Sequence, residues 1–165
     1  MLIEPPHPFD VTHPNLRAKL LAISGRLVRQ PYSDEEMTLM ATKGTLMIGP
    51  IQVARGIPHR CHFNAAVRWL NDPRKAISFG YQNPNDCWTQ HSWNVLDGQI
   101  VDTDDRKLYF GVTPVDPEAF AVHVVLDELN VEDIDSVLSQ RAAKRFRQML
   151  ENVLKAYEIN KMKAA

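Results

Sequence analysis

The chain has 165 residues, 19 Lys and Arg against 20 Asp and Glu for a formal charge of −1, and 44% hydrophobic residues. That length suits one domain with a proper core, and the balanced charge gives no global attraction to nucleic acid or an anionic membrane, so neither is expected as a partner. No apolar run reaches a membrane span, the opening MLIEPPHPFD has no signal-peptide pattern, and two cysteines are too few for a disulfide framework, which together predict a cytoplasmic protein with reduced thiols.

In chain order, EPPHPFDVTHP carries prolines at 5, 6, 8 and 14 and reads as an extended arm. Residues 15–30, NLRAKLLAISGRLVRQ, space Leu16, Leu20, Ile23 and Leu27 at helical intervals. SDEEMTLMATKG predicts a second helix, with Ser33 as cap, Glu36 completing a capping box and Gly44 as the stop. The following TLMIGPIQVARG, interrupted by Gly49-Pro50, reads as a strand or loop leading to Pro58. From Cys61 to Leu70 the pattern is again helical, ended by Asn71-Asp72-Pro73.

AISFGY is a strand, and WTQHSWNVL and QIVDTD are two more joined by Asp97-Gly98, a strong hairpin signal. LYFGV and AFAVHVVL predict two further strands, and residues 131–160 a C-terminal helix with allowance for one break. The whole is a single α+β domain over 1–165: an N-terminal helical arm (1–44), a core (50–126) with a helix packed on an antiparallel sheet, and the C-terminal helix.

A two-residue Asp97-Gly98 turn sets Leu96 opposite Gln99, Trp93 opposite Asp102 and His91 opposite Asp104. His91, Trp93, Asp102 and Asp104 then share one face, and either aspartate is placed to accept a hydrogen bond from the His91 ring. Cys61, at the start of a helix, feels the positive end of the helix dipole, which favours its thiolate. A nucleophile, a base and an acceptor to orient the base are the requirements of acyl-transfer chemistry.

These stretches resemble the transglutaminase-like branch of the papain-like cysteine enzymes. The likeness lies in the order Cys61 at a helix start, Gly80-Tyr81, His91-Ser92-Trp93, Asp97-Gly98 and Asp102-Thr103, over roughly residues 55–112. RGIPHRCHFN is also similar to the nucleophile segment of arylamine N-acetyltransferases. The resemblance implies a papain-like, transglutaminase-core fold with a Cys61–His91–Asp102 catalytic triad. It also implies a thiol hydrolase or acyltransferase, whether peptidase, deamidase or transglutaminase-like, acting on a peptide, protein or small amide or thioester. At the position of the oxyanion-hole glutamine of papain-type enzymes, six residues before Cys61, this chain has Arg55, with Gln52 and Gln90 as substitutes. His59, His62, Gln52, Trp93 and Asp104 are expected to line the site, and no cofactor or metal is expected.

Two other readings stand beside this one. The same fold can serve as a non-catalytic interaction module. Cys61, His62, Cys87 and His91 also have zinc-ligand side chains, although their spacing matches no standard zinc motif. Cys87 alone reads as a packing residue, and Asn64 as a partner for nearby backbone.

Overall fold

Pro14 at the first helical turn, with the His13 ring accepting the Leu16 N–H at 3.3 Å, starts α1 (Pro14–Ile23) in the computed structural model, which describes residues 13–29, 32–103, 108–113 and 116–164. The predicted arm over residues 4–14 lies almost wholly outside the described residues. Helix α1 is shorter than its periodicity predicts. The buried Trp88 indole donates to the carbonyls of Leu20 (3.0 Å) and Ser24 (2.7 Å), and Gly25 at φ 86° turns the chain away. Leu27–Val28 then forms β1, parallel to Cys87-Trp88, instead of continuing the helix.

Helix α2 (Asp34–Lys43) carries the predicted capping box, Ser33 accepting from the Glu36 N–H while the Glu36 side chain accepts from the Ser33 N–H. Next come β2 (Thr45–Met47), β3 (Ile51–Val53), α3 (Cys61–Asn71), β4 (Ala76–Gln82), β5 (Cys87–Leu96), β6 (Gln99–Asp102) and β7 (Tyr109–Val112). The C-terminal part is α4 (Pro117–Glu128), a 3₁₀ turn (Val131–Asp133), α5 (Ile134–Val137) and the long α6 (Gln140–Ala164), so the expected single helix is divided before Gln140.

Two sequence expectations are corrected. AFAVHVVL is helix α4 and not a strand: Asp116 accepts from the Ala119 N–H at 3.0 Å, Pro117 sits in the first turn, and Ala121, Val122, Val124 and Val125 are buried. Its β-branched residues give a strand-like local signal, but α3 and α6 pack against it and bury it as a helix. The sheet is also mixed, not antiparallel: β3 runs parallel to β6 and β1 parallel to β5.

Strand order is β2-β7-β4-β5-β6-β3, with β1 attached to β5. Strands β2 and β3 therefore bound the order at opposite ends, yet only Ile48, Gly49 and Pro50 join them. From Met47 to Ile51 the chain reaches about 14 Å at most. A flat sheet in this order would hold the two strands about 24 Å apart. The sheet must curl on itself.

Inside the curl Trp93, Ile100 and Tyr109 form a small core. Space for it comes from Gly111, where a Cβ would stand 2.8 Å from the Trp93 ring and would run into the Phe79 carbonyl. Outside the curl, α1, α2 and Trp88 cover one flank, while α3 to α6 build a second core around Phe63, Leu70, Ile77 and Phe146. Among the described residues the architecture is thus six helices around a curled mixed sheet, and no helix is long and apolar enough to cross a membrane.

Candidate active site

The hairpin forms in the predicted register: Leu96 pairs with Gln99, Val95 with Ile100 and Asn94 with Val101. Asp97 (φ 50°) and Gly98 (φ 78°) both take the left-handed conformation that a type I′ turn needs. Trp93 then faces Asp102, and His91 lies one step along the same face. His91 Nε2 is 2.6 Å from Asp102 Oδ2, and both side chains are buried. Asp102 also accepts from the Thr103 N–H at 2.7 Å and the Tyr109 hydroxyl at 2.9 Å. The Trp93 ring lies parallel to His91, with centroids 6.3 Å apart, and shields the pair from below.

Burial alone would push the Asp102 carboxyl up, but the bonds from His91, Thr103 and Tyr109 together hold it below its usual range. An ionised Asp102 accepts only, so His91 Nε2 carries the proton and Nδ1 is left for the thiol. Burial would lower the His91 pKa, but Asp102 and Cys61 raise it to about 9.

Cys61 is the first residue of α3, and Arg60 before it supplies no side-chain cap. Burial pushes its thiol up. A hydrogen bond to His91, the charge of that ring and the backbone N–H groups of Ser92 and His62 outweigh it, and the net shift is downward. The sequence therefore brings Cys61, His91 and Asp102 together from a helix start and two adjacent strands.

One wall of the site is the segment from Val53 to His59. Asn64, one helical turn after Cys61, fixes it: its side chain accepts from the Ile57 N–H and donates to the Ile57 carbonyl, both at 2.8 Å. Gly56 is pressed so close that a Cβ would stand 2.8 Å from the Asn64 amide and would meet the Thr103 methyl. Buried Arg68, one turn further, directs Nη2 to the carbonyls of Ala54 and Arg55 at 3.5 and 3.4 Å. Opposite stand Gln82, Thr89, Gln90 and His91, and the cleft between the walls has a volume of about 1040 Å³.

His62 also lines the cleft, with Nδ1 2.6 Å from the buried Ser92 hydroxyl. Burial first, and the charge of His91 second, lower its pKa to about 4. An unfolded histidine titrates near 6.5, so the unfolded state binds the extra proton between those values. His62 therefore favours the fold above pH 6.5 and loses that contribution as pH falls toward 4. Urea titrations at pH 6.5 and 4.5 are expected to show a drop on the order of 2 kcal/mol attributable to this residue, absent in His62→Gln. An equal drop in the variant would contradict the assignment.

Of the other residues expected at the site, His59 lines the cleft in a left-handed conformation (φ 62°), and Trp93 is buried beneath the His91 ring. Gln52 is exposed on β3 and does not line the cleft, whereas Arg55 and Gln90 do. Asp104 lies outside the described residues. Cys87 sits four residues before His91 on β5, paired with Leu27 at the opposite flank. Among the described residues no three His, Cys, Asp or Glu side chains cluster as a metal site. The ring nitrogens of His91 and one of His62 are already engaged by Asp102, Cys61 and Ser92.

Sequence reasoning missed Tyr109, Tyr32 and Arg68. Tyr32 donates to the carbonyls of Gly80 (2.8 Å) and His91 (3.1 Å), pinning the strand behind His91. The sequence signal for Tyr109 was only its position in the predicted strand LYFGV. No family model, curated protein or solved structure matches this chain.

Proposed function

We propose that the protein is a cysteine-dependent acyl-transfer enzyme, and more narrowly a transglutaminase-like or papain-like amide hydrolase or acyltransferase with Cys61, His91 and Asp102 as its triad. The observation that carries this reading is the buried His91–Asp102 pair, 2.6 Å apart, whose ring pulls the Cys61 thiol down against burial, with Cys61 and His91 both lining one cleft.

In the proposed reaction the Cys61 thiolate attacks an amide or thioester carbonyl carbon, forming a C–S bond as the carbonyl electrons move to oxygen. First-turn N–H groups of α3, and the Gln90 amide across the cleft, are the donors closest in kind to an oxyanion hole. Collapse expels the amine or thiol, which takes the proton from His91, and leaves a thioester on Cys61. His91 then accepts a proton from water or an amine as it attacks the thioester, and returns that proton to the sulfur. Asp102 keeps the imidazole in one tautomer and steadies its charged form throughout.

Mass spectrometry after incubation with an activated thioester, such as a short-chain acyl-thiophenol, tests this directly. Acylation is expected on Cys61 and not Cys87, and absent from Cys61→Ser. An unacylated Cys61 beside an acylated Cys87 would sink the proposal.

A further inference from the structure

The first turn of α3 carries Cys61 but has no side-chain cap, since Arg60 supplies none to its leading N–H groups. Helix ends left in that state fray, and fraying here would carry the thiol away from His91. What meets the turn is β5. Cys61 and His62 are consecutive on the helix, His91 and Ser92 are consecutive on the strand, and the two pairs stand in register. The His91 ring and the Ser92 N–H act on the thiol, while His62 Nδ1 lies 2.6 Å from the Ser92 hydroxyl.

Strand alternation divides the two roles. His91 turns into the curl toward Asp102, and Ser92 turns the other way, toward α3. Asn94, two residues on and facing the same way as Ser92, donates to the Ala65 carbonyl of α3 at 3.0 Å. The His62 ring is itself held: Tyr32 and Phe120 meet it edge-on, each with centroids 6.5 Å away, and Tyr32 also bonds the His91 carbonyl at 3.1 Å. Ser92 is wholly buried, and among the described residues its hydroxyl has no hydrogen-bond partner other than His62. Without that bond a buried hydroxyl would be stranded.

From this register we infer that His62 and Ser92 are positioning residues, whose hydrogen bond ties the first turn of α3 to β5 and sets the approach of Cys61 to His91. The inference rests on Cys61 being the nucleophile and adds to the triad the pair that holds it in place. Burial keeps His62 neutral near pH 7, with its pKa lowered to about 4. The rung therefore brings no charge to the sulfur, and removing it changes distance and not field.

The test reads alkylation of Cys61 by iodoacetamide on the full chain, by mass spectrometry, across a pH range from acid to mildly basic, with Cys87 as internal reference. The titratable groups that act on Cys61 and His62 are His91 on β5, Tyr32 before α2 and Glu36 on α2, and every variant keeps them. Ser92→Ala is expected to slow Cys61 at pH 6 at least about fivefold and to move the midpoint of its profile up by about half a pH unit or more. His62→Ala should do the same. His62→Asn places an amide near the Nδ1 position that meets the hydroxyl as donor or acceptor, and should restore the rate to within about twofold of wild type. Adding Ser92→Ala to His62→Ala should slow Cys61 no further, because the pair acts as one unit. A bond that served stability alone would leave all these profiles unchanged in protein that is still folded.

Far-UV dichroism checks the fold of each variant, and the two His62 variants carry the test if Ser92→Ala does not fold. Profiles for Ser92→Ala or His62→Ala that superimpose on wild type would overturn the inference. So would equal rates for His62→Ala and His62→Asn, or losses that add in the double variant. These results leave the nucleophile reading intact as long as wild-type Cys61 outpaces Cys87 below the pH at which an ordinary thiol ionises. If it does not, that reading fails, and the inference falls with it.

Discussion

His91→Ala is expected to reduce turnover of any amide or thioester substrate by about 10³-fold or more, and to slow alkylation of Cys61 at pH 7 by at least about tenfold. Removing the imidazole takes away both its hydrogen bond and its charge, the two largest influences that hold the thiol down against burial. The thiol pKa must then move up. In wild type the alkylation rate should reach its plateau below the pH at which an ordinary thiol ionises, and in the variant the whole profile shifts to higher pH. Cys87 in the same sample serves as the internal reference. Superimposable profiles for wild type and variant would show that His91 does not act on Cys61.

Asp102→Ala should be the most destabilising single change at the site. It removes the acceptor shared by His91 (2.6 Å), the Thr103 N–H (2.7 Å) and the Tyr109 hydroxyl (2.9 Å) in a buried setting. Breaking a buried charged pair from one side costs about 3–5 kcal/mol, and a protein of this size should lose on the order of 10 °C in Tm. Asp102→Asn keeps the shape and costs less stability. Its neutral amide no longer steadies the imidazolium, so a fall in activity of about 10²-fold or more is expected without a matching loss of fold.

The pH dependence separates these effects. The Asp102 carboxyl is held below its unfolded value, so its contribution is present above about pH 3.8 and is lost as pH falls through the folded pKa. Both variants should lack that acid-side loss. Wild-type activity in Asp102→Asn would remove the residue from the proposed triad.

The placement of His91 beside Asp102 was far more legible than the architecture. Asp97-Gly98 pins a hairpin register, and with the register fixed, period-two alternation alone places His91 and Asp102 on one face. Helix α2 was equally plain, since its cap is a local interaction between Ser33 and Glu36.

What escaped was decided by distant residues. Helix α1 stops because Trp88, more than sixty residues away in sequence, takes its last carbonyls. Residues 119–126 are helical because α3 and α6 bury them, while their local composition suits a strand. Tyr109 reaches the site through the curl of the sheet, Tyr32 from the loop before α2 and Arg68 from α3, and no local pattern encodes those meetings. Gln52 failed as a site residue for a simpler reason: strand β3 turns its side chain toward solvent.

The three-residue link between the bounding strands β2 and β3 also dictates an order of assembly. Neither strand has its partner until β6 and β7, much later in the chain, have taken their places, so ring closure is the slow, non-local step of folding. Run in reverse, the least costly partial opening releases this short linked pair and leaves the helical core standing. The wall from Val53 to His59 leaves with it, since it is continuous with β3. On heating, the cleft should therefore come apart while far-UV dichroism is still native, and the working lifetime of the site is set by how long the ring stays shut.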